Sequence, residues 1–516
     1  MSIPGGAVSS WSLTHNITGR WGGTLKPLEL TQSYTDLPEI FYAPVNPTPV
    51  KHPEARMIND PLATSLGVDL NWLHSDAGLA VLSGQTTLPN TQPIAMAYGG
   101  HQFGHWAGVL GDGRALLLGE HQAPTGDHWD IQLKGAGPTP FSRNGDGRSS
   151  IGPVVREYLA SEAMAALGIP TTRALAAVST GEHVQRQAPE PGGILCRVAR
   201  SHIRIGTFEF IARQNDPESL QALLMYVLKH HHPAWVDHDQ PALVWFEHVI
   251  ELTASLVARW MEVGFIHGVM NTDNCSVLGD TIDYGPFGML DAFVPDQVYS
   301  SIDRNGRYAY NQQPAVAAWN LARLGECLLP LLSDQSEASI EIATDALNRF
   351  PDRFKHHFET AITEKVGLDP KNTQHTEHAM ALLDCMANND ADMTLTFRRL
   401  GSLKDHPSPQ DDTVRVLFDN PAQFDQWAVG WRQCLQDNAV DPATRQATMN
   451  QRNPAYILRN HLAQHAVDAA IERLDFEPMR RVHALLAHPF DDQKEHARWA
   501  GPPSPDERVL TTFCGT

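Results

Sequence analysis

The sequence predicts an α+β fold in two successive parts, a β-rich portion followed by a helical one, with an N-terminal wrapping segment and a C-terminal helical extension. Three observations predict it. From Met96 to about Gly206 short strands and glycine turns alternate, ending in a helix and another hairpin. After Asp216 the apolar spacing becomes helical, as in Leu220-Gln-Ala-Leu-Leu-Met-Tyr-Val-Leu228. Within that second part, Phe265-Ile-His-Gly-Val-Met-Asn-Thr-Asp-Asn274 and Val277-Leu-Gly-Asp-Thr-Ile-Asp-Tyr-Gly-Pro-Phe-Gly288 read as a loop, a tight hairpin and a second loop.

The chain has 516 residues, more than one core of roughly 100 to 200 residues accommodates, so two lobes and further segments are expected. The texture divides it into an extension over 1–95, a β-rich lobe over 96–215, a helical lobe over 216–335 and a helical extension over 336–516. The first 95 residues are rich in Pro, Thr and Asn, which predicts an irregular wrapping segment with a short helix near Asp60 to Leu66. Helical character also marks Val249 to Val263, stopped by Gly264, and Ala315 to Leu332, and it persists through Ala455 to Leu486.

A hydrophobic content of 42% and a charged content of 19% fit a soluble globular enzyme. No run approaches the roughly 18 uncharged apolar residues of a membrane span, so no membrane partner is expected. A formal net charge of −20 argues against nucleic acid, whose phosphates are held by clustered Lys and Arg. The six cysteines form no C-x-x-C pair, which removes zinc-ribbon and thioredoxin readings and makes a reducing compartment the default. No secretory signal opens the chain, so a cytoplasmic monomer is expected. The acid-poor start with Arg20 and Lys26 faintly resembles a transit peptide, which would make a eukaryotic chain mitochondrial.

Chemistry concentrates in a few motifs. Asn274 and Asp283 supply hard oxygen ligands beside a free carboxylate on Asp273, which is what a magnesium-nucleotide site needs. The arrangement is similar to the loops of protein kinases, with one departure. Their H-R-D-x-x-x-x-N loop places a base two residues after the histidine and a metal-binding Asn five residues later. Counting from His267, the Asn slot falls on Asn274, but the base slot falls on Val269, which cannot accept a proton. Either the chain is a dead kinase or it performs other chemistry with a relocated base, Asp273.

In Trp129-Asp-Ile-Gln-Leu-Lys134 strict alternation puts Trp129, Ile131 and Leu133 on one face and Asp130, Gln132 and Lys134 on the other. Pro153 opens a helix whose stripe of Val155, Leu159, Ala163 and Leu167 leaves Glu157 free to pair with Lys134. On pattern alone a solvated surface lysine is the commoner arrangement. Two turns, Gly111-Asp-Gly-Arg114 and Gly145-Asp-Gly-Arg148, flank the strand and read equally as phosphate cradles or as ordinary Asp-Gly hairpins. Arg197, Arg200 and Arg204 form a local basic run suited to polyphosphate or to salt bridges with the surplus acids. His230-His-His232 reads as a polar cap at a helix C-terminus rather than a metal site, and His101 and His105 as packing residues near the nucleotide lobe.

With Gly99-Gly-His-Gln-Phe-Gly-His105, Leu133-Lys-Gly-Ala-Gly-Pro-Thr-Pro-Phe-Ser-Arg143, His267-Gly-Val-Met-Asn-Thr-Asp-Asn274, Asp283-Tyr-Gly-Pro-Phe-Gly288 and Asn311-Gln-Gln-Pro-Ala-Val316, the chain resembles the selenoprotein O family over about residues 95 to 330. The resemblance implies a protein-kinase-like two-lobed fold that transfers AMP from ATP to Ser, Thr or Tyr hydroxyls of proteins, with the nucleotide flipped relative to kinases. UMP transfer from UTP is a related activity. It implies a nucleotide site of Gly111, Gly113, Arg114, Lys134, Asp146, Gly147, Arg197, Arg204 and Asp283, a Lys134–Glu157 ion pair, Asp273 as proton acceptor, and Mg2+ or Mn2+ on Asn274 and Asp283. It further implies a redox handle at Cys514. Its partner in bacterial relatives lies in the loop after Asp-Tyr-Gly, where residues 291–303 here contain no cysteine; Cys275 substitutes only if its thiol is accessible. An orthodox phosphotransferase and a non-catalytic ATP-binding scaffold are the competing readings; Val269 counts against the first, and the intact Asp273, Asn274 and Asp283 against the second.

Overall fold

The computed structural model describes residues 25–438 and 440–513. Residues 1–24, where the transit-like segment begins, and Cys514 lie outside the described residues. In chain order the strands are β1 (Tyr42–Pro44), β2 (Glu54–Ile58), β3 (Ile94–Met96), β4 (Gly99–Gln102), β5 (His105–Val109), β6 (Ala115–Gln122), β7 (His128–Lys134), β8 (Ser149–Ser150), β9 (Arg173–Gln185) and β10 (Pro189–Ala199). Eight of them form one antiparallel sheet in the order β1-β3-β6-β7-β10-β9-β2, with β8 on β10, while β4 and β5 form a separate hairpin.

The alternation in β7 is what sets the layers. Ile131 and Leu133 face an apolar cluster with Leu62, Leu66 and Leu82, supplied by the short helices α1 (Asp60–Leu66), α2 (Leu70–Leu73) and α3 (Asp76–Leu82). The opposite face packs Leu117, Ala177 and Leu195 on Val154, Val155, Tyr158 and Leu159 of α4 (Ile151–Ala166). The first 95 residues are therefore more than an irregular wrap: they supply strands at both edges of the sheet and a helical layer behind it. Their signal was weak because the helices are short, each opened by a capping side chain, as Asn59 accepts Leu62 N at 3.1 Å.

Beyond the sheet come α5 (Ile205–Ala212), α6 (Pro217–His231), α7 (Pro241–Glu262) and α8 (Gln313–Leu332). Contrary to the expectation from composition, Pro241–Glu262 and Tyr310–Leu332 are each long and apolar enough to cross a membrane by length and composition. Both lie in the helical core, where Trp245, Phe246, Val249 and Ile250 pack with Leu321, Leu324 and Leu328. The histidine run stands at the C-terminal end of α6, where burial pushes all three imidazoles down, His231 to about 3 and His232 to about 4, and so favours their neutral form.

Strands β11 (Phe265–Ile266) and β12 (Gly288–Met289) pair and close the loop that carries the acids. The hairpin expected over 277–282 does not form. Gly279, at φ +69°, makes the turn, but Ser276 bridges Arg204 and Thr281 bridges Thr171, so both arms pair with chain from the sheet region instead of with each other.

The C-terminal helices return to brace this loop. Asn460 accepts from Met289 N and donates to Met289 O, both at 2.9 Å, while Arg459 binds Asp291 and Asp392. Thr512 N donates to Tyr299 O at 2.7 Å and Thr512 Oγ1 to Pro286 O at 2.7 Å.

One buried cation in this extension has no carboxylate at ion-pair distance among the described residues. Lys365 is 2% exposed, with its ammonium over the Phe397 ring at 4.8 Å, and burial lowers its pKa to about 8. The folded state thus binds fewer protons than the unfolded between about pH 8 and the ordinary lysine value of 10.5. Stability therefore rises with pH across that window and is lowest below it, by up to ~3 kcal/mol. Lys365→Met is expected to raise Tm at pH 7 and to remove this rise, which thermal melts of both proteins between pH 7 and 10.5 check.

Candidate active site

A cleft of about 710 Å3 opens between the sheet and the helical region, lined by both glycine turns and by the loop between β11 and β12. Its centre is Asp283. The residue sits at φ +61°, a left-handed conformation that Asp tolerates better than most side chains. Lys134 Nζ reaches Asp283 Oδ1 at 2.8 Å from the end of β7, and Arg197 Nη1 reaches the same oxygen at 2.8 Å from β10. Arg204 Nη1 reaches Oδ2 at 2.5 Å from the N-terminus of α5. Although desolvation favours the neutral form, these three cations hold the Asp283 carboxyl well below the usual range.

Glu157 of α4 completes the cluster, accepting Lys134 Nζ at 2.6 Å and Arg197 Nη1 at 3.2 Å. The pairing of Lys134 with Glu157 thus prevails over the solvated lysine. Gln132, on the same face of β7 as Lys134, accepts Arg197 Nε at 3.1 Å and donates to Asp112 at 3.1 Å. Asp112 lies 3.9 Å from Arg204, and its burial raises its pKa. Arg204 also lies over the Tyr98 ring at 4.6 Å.

Asp273 faces the same cleft. Gln102 Nε2 donates to its Oδ2 at 3.1 Å, whereas Oδ1 is buried without a hydrogen-bond partner. Burial pushes its carboxyl up to about 6, despite Gln102 and Arg204. A carboxylate so raised is a better proton acceptor near neutral pH than a solvated one. Its backbone is fixed from two sides: Arg204 Nη1 binds Asp273 O at 2.7 Å, and Thr272 Oγ1 receives His101 N at 2.7 Å while donating to Glu209. Asn274 donates Nδ2 to Val269 O at 3.0 Å, which leaves its carbonyl oxygen as the free acceptor of that amide. His267, neutral through burial, links the two loops through Nε2 to Ile282 O at 3.0 Å.

The glycine turns line the cleft, yet protein atoms explain why they are glycine. A Cβ at Gly111 would stand 2.3 Å from the Phe141 ring, one at Gly113 2.9 Å from Phe141 O, and one at Gly147 2.1 Å from Gly137 O. Both turns fold onto segment 137–142. Arg114 lines the cleft, but Arg148 spends its guanidinium on Thr48 O and Pro49 O, and Asp146 pairs with Arg186 at 2.9 Å. Arg200 stands apart from the cleft, bound to Asp280 at 2.8 Å.

Cys275 is half-buried beside the metal-ligand candidate. Its sulfur accepts Asn320 Nδ2 at 3.1 Å, and desolvation pushes the thiol up to about 12, which disfavours the reactive thiolate at neutral pH.

Gln102, Asp112, Gln132, Tyr98, Glu209 and Thr272 were not assigned to the site from the sequence, and His101 was read only as a packing residue. The alternation that exposed Lys134 places Gln132 on the same face and was a usable signal. The others come together only through long-range contacts.

The family model for the protein adenylyltransferase SelO matches residues 24–487. The chain is 51% identical over 484 residues to a protein named protein nucleotidyltransferase YdiU from Rhodopseudomonas palustris (strain BisB5), covering 94% of this chain and 98% of that one. It is 50% identical to the protein of that name from Bradyrhizobium diazoefficiens and 51% to that from Alkalilimnicola ehrlichii, with the same coverage. The matched span takes in the sheet, the cleft and most of the C-terminal helices, and on that basis the chain belongs to the SelO family of protein adenylyltransferases.

Proposed function

We propose that this protein transfers AMP from ATP to Ser, Thr or Tyr hydroxyls of other proteins, on a two-lobed kinase-like scaffold, and releases pyrophosphate. The observation that carries this reading is the convergence of Lys134, Arg197 and Arg204 in a cleft that Asp273 also lines. Three fixed cations suit a triphosphate, and a buried carboxylate whose pKa is raised to about 6 suits a hydroxyl proton.

In this mechanism the Asp273 carboxylate accepts the hydroxyl proton as the acceptor oxygen attacks the α-phosphorus. The bond from that phosphorus to the bridging oxygen of the β-phosphate breaks, and Lys134, Arg197 and Arg204 offset the charge of the departing pyrophosphate. Glu157 and Gln132 hold the cations in place. Val269 in the usual base position is buried and apolar, which supports the relocation of the base to Asp273.

The donor set fits a divalent ion. One carboxamide oxygen, on Asn274, and one carboxylate, on Asp283, line the same cleft, and Mg2+ is commonly held by one or two carboxylates with the remaining positions filled by phosphates and water. Mg2+ or Mn2+ bound there would neutralise phosphate charge during transfer.

With ATP labelled separately at the α- or γ-phosphate, label is expected on protein only from the α position, and Asp273→Ala and Asp283→Ala are each expected to abolish it. Retention of the γ label, or no transfer while ATP still binds, would overturn the reading. Glu157→Gln removes one of the two carboxylates shared by Lys134 and Arg197. It is expected to weaken ATP binding about tenfold, or about 1.4 kcal/mol, in a calorimetric titration, and to lower Tm.

A further inference from the structure

The hairpin of β4 and β5 has two faces with different duties. On one, Gln102 holds Asp273, and at its tip Phe103 N donates to Asn271 Oδ1 at 3.2 Å. The register pairs His101 with Trp106, which places those two rings together on the other face, 5.3 Å apart. Trp319 of α8 packs on the same imidazole at 5.4 Å. Guanidinium groups cover both indoles. Arg213, just past α5, lies over Trp106 at 4.8 Å, and Arg307 and Arg323 each lie 4.9 Å from the Trp319 ring.

Among the described residues Arg213 and Arg307 have no carboxylate at ion-pair distance, and Arg323 has only the exposed Glu326 at 2.6 Å. Glu209, the nearby buried acid, is already bound by His101 and Thr272. In a chain with 59 acidic and 39 basic residues, three guanidiniums lying over two indoles form a local concentration of cations beside the catalytic loop, although Glu209, Glu326 and Asp303 stand nearby. An arginine stacked on an aromatic face keeps its in-plane N–H fork available for carboxylates and loses little entropy on binding them.

We propose that this arginine–tryptophan surface docks an acidic segment of the protein substrate, presenting a neighbouring hydroxyl to Asp273. The proposal rests on the reading of the chain as an enzyme that modifies protein hydroxyls. Charge complementarity selects the occupant: the general field of the protein repels acidic partners, so only a segment that reaches these three arginines gains from its carboxylates. Continuity with the site sets its position, since residues 101 to 103 join the patch directly to the residues that hold Asp273 and Asn271.

The test uses synthetic serine peptides of equal length with glutamate-rich, neutral or lysine-rich flanks, and α-labelled ATP. The glutamate-rich peptide is expected to show a KM at least about tenfold below that of the neutral one, with the difference shrinking as salt is raised. Arg213→Gln combined with Arg323→Gln is expected to erase that preference, leaving the affinity for ATP and kcat/KM for the neutral peptide unchanged. Equal KM values for all flanks, an equal loss on every peptide, or a preference that survives the double substitution would overturn the docking surface alone. Inhibition by oligo(dT) that the same substitutions relieve would assign the patch to nucleic acid and also overturn it. If no peptide and no protein is labelled, the transferase reading falls, and the docking surface with it.

Discussion

The structure depends on one carboxylate. Asp283 gathers a lysine and two arginines delivered by β7, β10 and the start of α5, and so ties the sheet to the helical region at the floor of the cleft. Removing one partner of a buried ion pair typically costs about 3–5 kcal/mol, because the remaining charge stays desolvated and unpaired. Here one acid serves three cations, with Glu157 sharing two of them, so the cluster keeps a positive surplus inside the protein. The neighbouring Asp112 stands 3.9 Å from Arg204, with burial pushing its pKa up and the two arginines pulling it down. A site that keeps excess positive charge away from water is suited to an anion with several charges.

The same residues hold the Asp273 loop in place. In the loop between β11 and β12, Val269 is buried where a kinase would present its aspartate, and its carbonyl receives the Asn274 amide. Asp273 is then held by contacts from outside its own loop: Arg204 on its carbonyl, Gln102 on its carboxylate, and Glu209 through Thr272. Gly206 and Gly100 permit this closeness, since a Cβ on either would press on Asp273 or its surroundings.

Local patterns made much of this legible. The period-two alternation of β7 named the face that carries Lys134, and the stripe of α4 left Glu157 on the side where the lysine meets it. The spacing of acids after His267 marked Asp273, Asn274 and Asp283. What stayed hidden depended on distant partners. Arg197 and Arg200 look alike in sequence, yet alternation along β10 and the chain beyond it sends one to Asp283 and the other to Asp280. The glycines of the two turns line the cleft, but the packing of Phe141 and Gly137 that excludes a side chain there is something no local window reveals. The helix over Asp60–Leu66 was legible, but the other strands and helices before residue 95 were missed because they are short and gain their stability from the sheet they cover.

The loop that bears Asp283 is fastened by parts of the chain that come far later: Asn460 on both polar groups of Met289, and Thr512 on Pro286 and Tyr299. During synthesis the sheet and its cation cluster emerge from the ribosome more than two hundred residues before those fastenings do. A nascent chain can therefore complete its sheet while the loop facing it is still unsecured. Assembly of the cleft waits on residues made long after the strands that line it.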